Sequence, residues 1–85
     1  MPESFGTYLA RTREERGLSL RQVAASCGVA ATTIARIENG EYHLPNPELL
    51  LNLVDTLGLS LTAAVELLEP YRALCTRFAN ERTTP

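Results

Sequence analysis

Residues 18–40 have the sequence LSLRQVAASCGVAATTIARIENG, and they divide at Gly28 into two short segments of helical character. Ser19 and Gln22 have the spacing of a capping box, in which each side chain bonds the other residue's backbone amide at the start of a helix. Only three residues connect the two segments, which is typical of helices that cross at a steep angle. The stretch therefore predicts a helix-turn-helix, with helices over 20–27 and 31–39.

Helical patterns continue on both sides of this stretch, and no segment has the alternation of a strand. Glycine follows four of the helical segments, as expected where a helix ends in the left-handed conformation: Gly17, Gly28, Gly40 and Gly58. The remaining start signals and apolar spacings predict further helices near 4–16, 47–57 and 61–68. The predicted class is an all-α domain of five helices.

A sixth, short helix is predicted after Pro70. Apolar residues repeat there at i, i+3, i+4 and i+7, namely Tyr71, Leu74, Cys75 and Phe78. We therefore divide the chain into a domain over residues 4–68 and a C-terminal extension over residues 69–85. The ends, at residues 1–3 and 82–85, are expected to be frayed.

Length and composition exclude several classes of protein. The two cysteines, Cys27 and Cys75, are too few for a disulfide framework and lack the spacing of zinc ligands, so reduced thiols and no metal are expected. The sequence contains no catalytic nucleophile, carboxylate pair or phosphate-binding loop, so we expect no enzyme, no cofactor and no small-molecule substrate. Without a signal peptide or an apolar run of membrane-spanning length, the protein is expected to be cytoplasmic and not membrane-bound.

The net charge of −2 argues against a nucleic-acid partner, because proteins that bind duplex DNA usually carry a basic surface. The distribution of charge weakens this objection. Residues 1–44 hold five arginines and five acidic residues, whereas residues 45–85 hold three arginines and five acidic residues. The excess acid therefore lies outside the half that contains the helix-turn-helix.

The helix predicted over 31–39 has two different sides. At about 100° per residue, Ile34 and Ile37 point to one side, and Thr32, Ala35, Arg36 and Asn39 point outward. This outward side is short, polar and free of acids, so the major groove of DNA could accept it. Geometry alone fits an ordinary solvated helix face equally well.

Two charged residues are placed near the predicted core. Arg13 follows Leu9 by four residues and shares its inward stripe, while Glu38 follows Ile34 by four residues. We predict that Arg13 and Glu38 form a partly buried ion pair between the first and third helices. Breaking it from one side should cost on the order of 3 kcal/mol.

These motifs resemble the Cro and phage-repressor helix-turn-helix family, also described as lambda-repressor-like. The matching residues are Leu-Ser-x-x-x-Val-Ala at 18–24, Gly-Val-x-x-x-Thr-Ile-x-Arg-Ile-Glu-Asn-Gly at 28–40, and Leu-x-x-Leu-Val-x-x-Leu-Gly-Leu at 50–59. The resemblance extends from Phe5 to about Leu68. It implies a five-helix domain that binds operator DNA, usually as a dimer, with its third helix in the major groove.

The resemblance also implies which residues meet DNA. Base contacts would come from Ala31, Thr32, Thr33 and Arg36. Phosphate contacts would come from Leu20, Arg21, Asn39, Tyr42 and His43. The family commonly has glutamine where this chain has Leu20 and Ala31, so direct reading of bases should be thinner here.

The resulting interpretation is a sequence-specific transcriptional regulator, most simply a repressor that occupies an operator through the helix from Ala31 to Asn39. A homodimer on double-stranded DNA is expected, and residues Leu61 to Phe78 could form its seam or could instead close over the chain's own core. The alternative is a helix-turn-helix used as a protein-binding module, such as an antitoxin or antirepressor-like regulator. The missing glutamines and the negative charge favour the alternative, whereas the arginines at the expected interface disfavour it.

Overall fold

The computed structural model of the chain describes residues 3–41 and 45–83, which form six α-helices and no strand. The helices are α1 (Phe5–Glu15), α2 (Leu20–Cys27), α3 (Ala31–Glu38), α4 (Pro47–Leu57), α5 (Leu61–Leu67) and α6 (Glu69–Thr83). The all-helical class is confirmed, and each of the first five helices lies within one residue of its predicted bounds. None of the helices in the described ranges is long and apolar enough to cross a membrane.

The sixth helix differs from the prediction. With fifteen residues it is the longest helix of the described chain rather than a short one, and it brings the count to six, beyond the five helices predicted for the domain itself. It begins at Glu69, one residue before Pro70, because proline is tolerated in the first turn of a helix, where its missing amide is not needed. It also continues through residues 82 and 83, where a frayed end was expected.

Side-chain caps fix the start of most of these helices. The Ser19 hydroxyl accepts from the Gln22 amide at 3.1 Å, and the Gln22 side chain accepts from the Ser19 amide at 2.7 Å. This is the capping box that the sequence predicted. Three further N-cap side chains, those of Ser4, Asn46 and Ser60, accept from the amide three residues later. Each cap satisfies a backbone donor that the helix itself leaves unpaired.

Helices α1 through α5 share one hydrophobic core. The buried side chains of this core are Phe5, Leu9, Val23, Ala24, Cys27, Ile34, Ile37, Leu49, Leu50, Leu53, Leu57, Leu59, Ala64 and Leu68. Helix α6 contributes Tyr71, which is partly buried against it. The core therefore holds α3 by one side, against both α1 and α2.

Gly6 allows α1 to approach the end of α3 very closely. A β-carbon at this position would lie 2.5 Å from the carbonyl oxygen of Ile37 and 2.7 Å from that of Glu38. Both atoms belong to the backbone, so they cannot move aside as the end of a flexible side chain can. No local sequence pattern marks Gly6, because the contact joins segments about thirty residues apart.

We expect Gly6→Ala to lower the free energy of unfolding by about 1–3 kcal/mol, the usual cost of inserting a methyl group into a closely packed contact. The loss should exceed the stabilisation of up to about 1 kcal/mol that alanine normally gives over glycine within a helix. Urea denaturation measures the change. Ser26→Ala, at an exposed position of α2, serves as the control and should stay within about 0.5 kcal/mol of the parent protein. Equal stability of Gly6→Ala and the parent would contradict the close approach.

Candidate nucleic-acid interface

The turn between α2 and α3 is built on Gly28. This residue has φ 70° and ψ 29°, a left-handed conformation that side chains with a β-carbon rarely adopt. The amide of Val29 donates to the carbonyl of Ala24 at 3.0 Å, which closes the end of α2 as a Schellman motif. Helix α3 begins at Ala31, so only three residues connect two helices that pack against each other.

Helix α3 presents its apolar side to the core. Ile34 and Ile37 are 0% and 2% exposed, and Val29 in the turn packs against the same core. These contacts leave the opposite side of α3 in solvent, where Thr32, Arg36 and Asn39 are exposed. No other segment of the described chain covers them.

The two remaining predicted base-contact residues, Ala31 and Thr33, are half-buried, and Ala31 packs against the core. Ala35, which was predicted to point outward, is half-buried as well. Ala31 can therefore offer only a methyl group to a ligand on the outside. Of the residues expected to read bases, Thr32 and Arg36 have the most accessible side chains.

The start of α2 was also predicted to belong to the interface, through Leu20 and Arg21. Arg21 is exposed, whereas Leu20 is half-buried and packs against the core. Leu20 occupies the first position of α2, where only its backbone amide and an apolar edge can meet a ligand. The Tyr42 and His43 positions, which were also predicted to contact phosphate, lie outside the described residues.

The arginines differ in whether a carboxylate compensates their positive charge. Arg11 bonds Glu15 on α1 and Glu3 just before that helix, and Arg13 bonds Glu38. Within the described part of the chain, by contrast, neither Arg21 nor Arg36 forms an ion pair. Their positive charges are therefore available to an anion.

Arg13 joins three parts of the domain. Its Nε donates to one Glu38 carboxylate oxygen at 2.6 Å, and its Nη2 donates to the other at 3.0 Å. Its Nη1 donates to the carbonyl of Leu18 at 2.9 Å, just before α2 begins. The side chains of Arg13 and Glu38 are only 14% and 10% exposed. The bidentate bond with Glu38 raises the pKa of Arg13 above its ordinary value.

The ion pair also affects the charge of the candidate surface. Glu38 is the acidic residue within α3, and its carboxylate is turned toward Arg13 rather than toward the outward side. Two bonds to a guanidinium compensate its negative charge. A polyanion approaching Thr32 and Arg36 would therefore meet little repulsion from α3 itself.

We expect Glu38→Ala to lower the free energy of unfolding by on the order of 3 kcal/mol, because it leaves the Arg13 guanidinium largely buried without its carboxylate. Thermal and urea denaturation measure the loss. Glu15→Ala, which breaks the exposed contact with Arg11, is the control and should leave the melting temperature nearly unchanged. If both variants melt like the parent protein, the Arg13–Glu38 pair does not support the fold.

Comparison with known proteins gives two findings. The family profile of a helix-turn-helix domain matches residues 4–68. A curated protein, the HTH-type transcriptional repressor RghR of Bacillus subtilis (strain 168), is 46% identical over 57 residues. This match covers 67% of the chain but 42% of the relative, so the chain corresponds to less than half of that protein's length.

Proposed function

Because this chain belongs to the helix-turn-helix domain family, we propose that it is a sequence-specific DNA-binding transcriptional regulator, and most simply a repressor that occupies an operator. One observation carries the proposal: Thr32, Arg36 and Asn39 on the outward side of α3 are exposed, and Arg36 forms no ion pair within residues 3–41 and 45–83. The similarity to a transcriptional repressor supports the same function. So do the motifs shared with the Cro and phage-repressor type.

In the proposed complex, α3 lies in the major groove. Arg36 would read a base edge, with guanine favoured because its N7 and O6 can accept two bonds from one guanidinium. Thr32 and Thr33 would contribute hydroxyl and methyl contacts, and Ala31 would meet the methyl group of thymine. With so few polar groups on this side, the shape and deformability of the DNA should supply part of the specificity.

Contacts with phosphate would fix the position of α3 without reading sequence. The proposed residues are Leu20 and Arg21 at the start of α2, Asn39 at the end of α3, and Tyr42 and His43 in the following segment. Arg21 supplies a full positive charge, whereas Leu20 contributes through its backbone amide at the helix start. Together, these contacts would hold α2 and α3 against the sugar-phosphate backbones that border the groove.

The proposed regulator binds as a homodimer to two half-sites about one helical turn apart, because a single α3 reads only a few base pairs. Repression then follows from occupancy of the operator, which excludes other proteins from the same DNA. The protein would act in the cytoplasm.

We expect Arg36→Ala to weaken binding to a preferred duplex by about 1–3 kcal/mol and to relax preference at one base position. Preferred duplexes come from selection among random sequences, and fluorescence anisotropy then measures affinity. A palindromic selected motif would support the dimer. An unchanged motif and affinity in Arg36→Ala would show that Arg36 does not read a base.

We expect Arg21→Ala to weaken binding to all duplexes by a similar factor, because an arginine bound to phosphate carries no sequence information. Its plot of log affinity against log salt concentration should be shallower by about 0.9 for each phosphate that the variant no longer neutralises. Arg11→Ala removes an equal charge from a residue bound to Glu3 and Glu15, so it should leave the selected motif and the salt slope unchanged. If Arg11→Ala weakened binding as much as Arg21→Ala, the effect would come from the net charge of the protein and not from a contact of Arg21 with phosphate.

A protein-binding module is the second candidate function, and the replacement of both family glutamines by Leu20 and Ala31 favours it. These two side chains give the expected interface apolar edges where a reader of bases would have amides. This function predicts no measurable affinity for any duplex at moderate salt, whereas the DNA-binding regulator predicts affinity that falls steeply as salt rises. The same titration therefore separates the two.

A further inference from the structure

Two acidic residues lie in the stretch that holds the candidate interface. Residues 19–41 contain Glu38 and Glu41 as their acids. Glu38 is largely buried and bonded to Arg13, so its charge is compensated. Glu41 is exposed, and it forms no ion pair within residues 3–41 and 45–83. The carboxylate of Glu41 therefore lies in solvent without a counter-charge from the described chain.

Backbone bonds fix Glu41 at the end of α3. The Gly40 amide donates to the carbonyl of Ile37 at 3.2 Å, and the Glu41 amide donates to that of Arg36 at 2.9 Å. With Gly40 at φ 80°, these two bonds form a Schellman motif. Glu41 is thus tied to the backbone of the residue whose side chain is proposed to read a base.

The stability of the fold does not account for an acid at this position. The C-terminal end of a helix carries a partial negative charge, so a carboxylate beside it is repelled. Glu41 follows the last turn of α3 by a few residues, and no cation of the described chain offsets the repulsion. Its charge therefore opposes folding slightly rather than supporting it.

We propose that Glu41 limits the affinity of this surface for DNA, by placing an uncompensated carboxylate where the end of α3 meets the sugar-phosphate backbone. Asn39, two residues earlier, is among the residues proposed to contact phosphate, so phosphate oxygens lie close to Glu41 in the proposed complex. This inference rests on the proposed function and adds to it a residue that opposes binding.

The repulsion is independent of base sequence, because phosphate groups carry no sequence information. It subtracts from the electrostatic part of binding, to which positive charges such as that of Arg21 contribute. The base contacts of α3 and the shape of the DNA then supply a larger share of the binding free energy. Removing the carboxylate should therefore change affinity without changing the preferred sequence.

Glu41→Gln tests the inference, because glutamine keeps the size of the side chain and removes its charge. At about 0.1 M salt, we expect this variant to bind every duplex about three- to tenfold more tightly than the parent protein. Its plot of log affinity against log salt concentration should be steeper by up to about 0.9, the change expected for one more neutralised phosphate. Glu41→Lys should continue both changes in the same direction.

Fluorescence anisotropy measures these affinities on two duplexes of equal length, one with the selected motif and one with the same bases in scrambled order. The melting temperature of Glu41→Gln should equal or slightly exceed that of the parent protein, since the variant removes a charge that opposes the helix dipole. Tighter binding therefore cannot come from a change in the folded fraction.

Glu81→Gln is the matched control. Glu81 lies near the outer end of α6, where every residue from 72 to 81 is exposed and none is among those expected to meet DNA. The control makes the same change in net charge, and it should bind both duplexes as the parent protein does.

The other outcomes contradict the inference in distinguishable ways. Equal affinity of Glu41→Gln and the parent protein would show that Glu41 does not repel DNA, and an equal gain in Glu81→Gln would assign the effect to net charge. A changed preference at one base position would show that Glu41 reads a base, as a carboxylate can by accepting from cytosine N4. If neither the parent protein nor Glu41→Gln bound any duplex, the proposed function itself would be refuted, and this inference with it.

Discussion

The bidentate bond between Arg13 and Glu38 is the interaction on which the arrangement of the domain depends. It ties α1 to the last turn of α3, and the third bond of Arg13, to the Leu18 carbonyl, holds the approach to α2 at the same point. An arginine suits this position because its planar guanidinium can satisfy three acceptors in fixed directions, which a lysine ammonium cannot. Both helices of the helix-turn-helix are thereby positioned by one residue of α1.

Close packing acts beside this bond. Gly6 brings the backbone of α1 against the carbonyls of Ile37 and Glu38, so the same end of α3 is held both by charge and by contact. Ile34 anchors the middle of α3 in the core. A helix held in this way by one side and one end can keep a fixed orientation while its outer side remains in solvent, as rigid presentation to a groove requires.

Local signals account for what could be predicted from the sequence. The capping box of Ser19 and the glycines that follow four of the helices act within a few residues, so the helix bounds follow from short patterns. The approach of Arg13 to Glu38 could also be predicted, because each follows a core residue of its own helix by four positions and so lies on the same side of that helix. The intolerance for a side chain at Gly6 and the bond from Tyr71 to Pro45 depend on which segments meet in three dimensions. For the same reason, periodicity indicated the existence of α6 but neither its length nor the exposure of its outer half.

The start of α3 has a consequence of its own. Ala30 precedes α3 without a side-chain oxygen, unlike the residues that cap α1, α2, α4 and α5. The absence costs roughly 1 kcal/mol of helix stability relative to serine or aspartate. The amide of Thr33 donates instead to the carbonyl of Ala30 at 3.0 Å. Within the described residues, this leaves the amides of Ala31 and Thr32 for an oxygen from outside the chain. Aspartate in place of Ala30 would stabilise the free domain by capping α3. Its negative charge would also lower the affinity of the helix start for any anion.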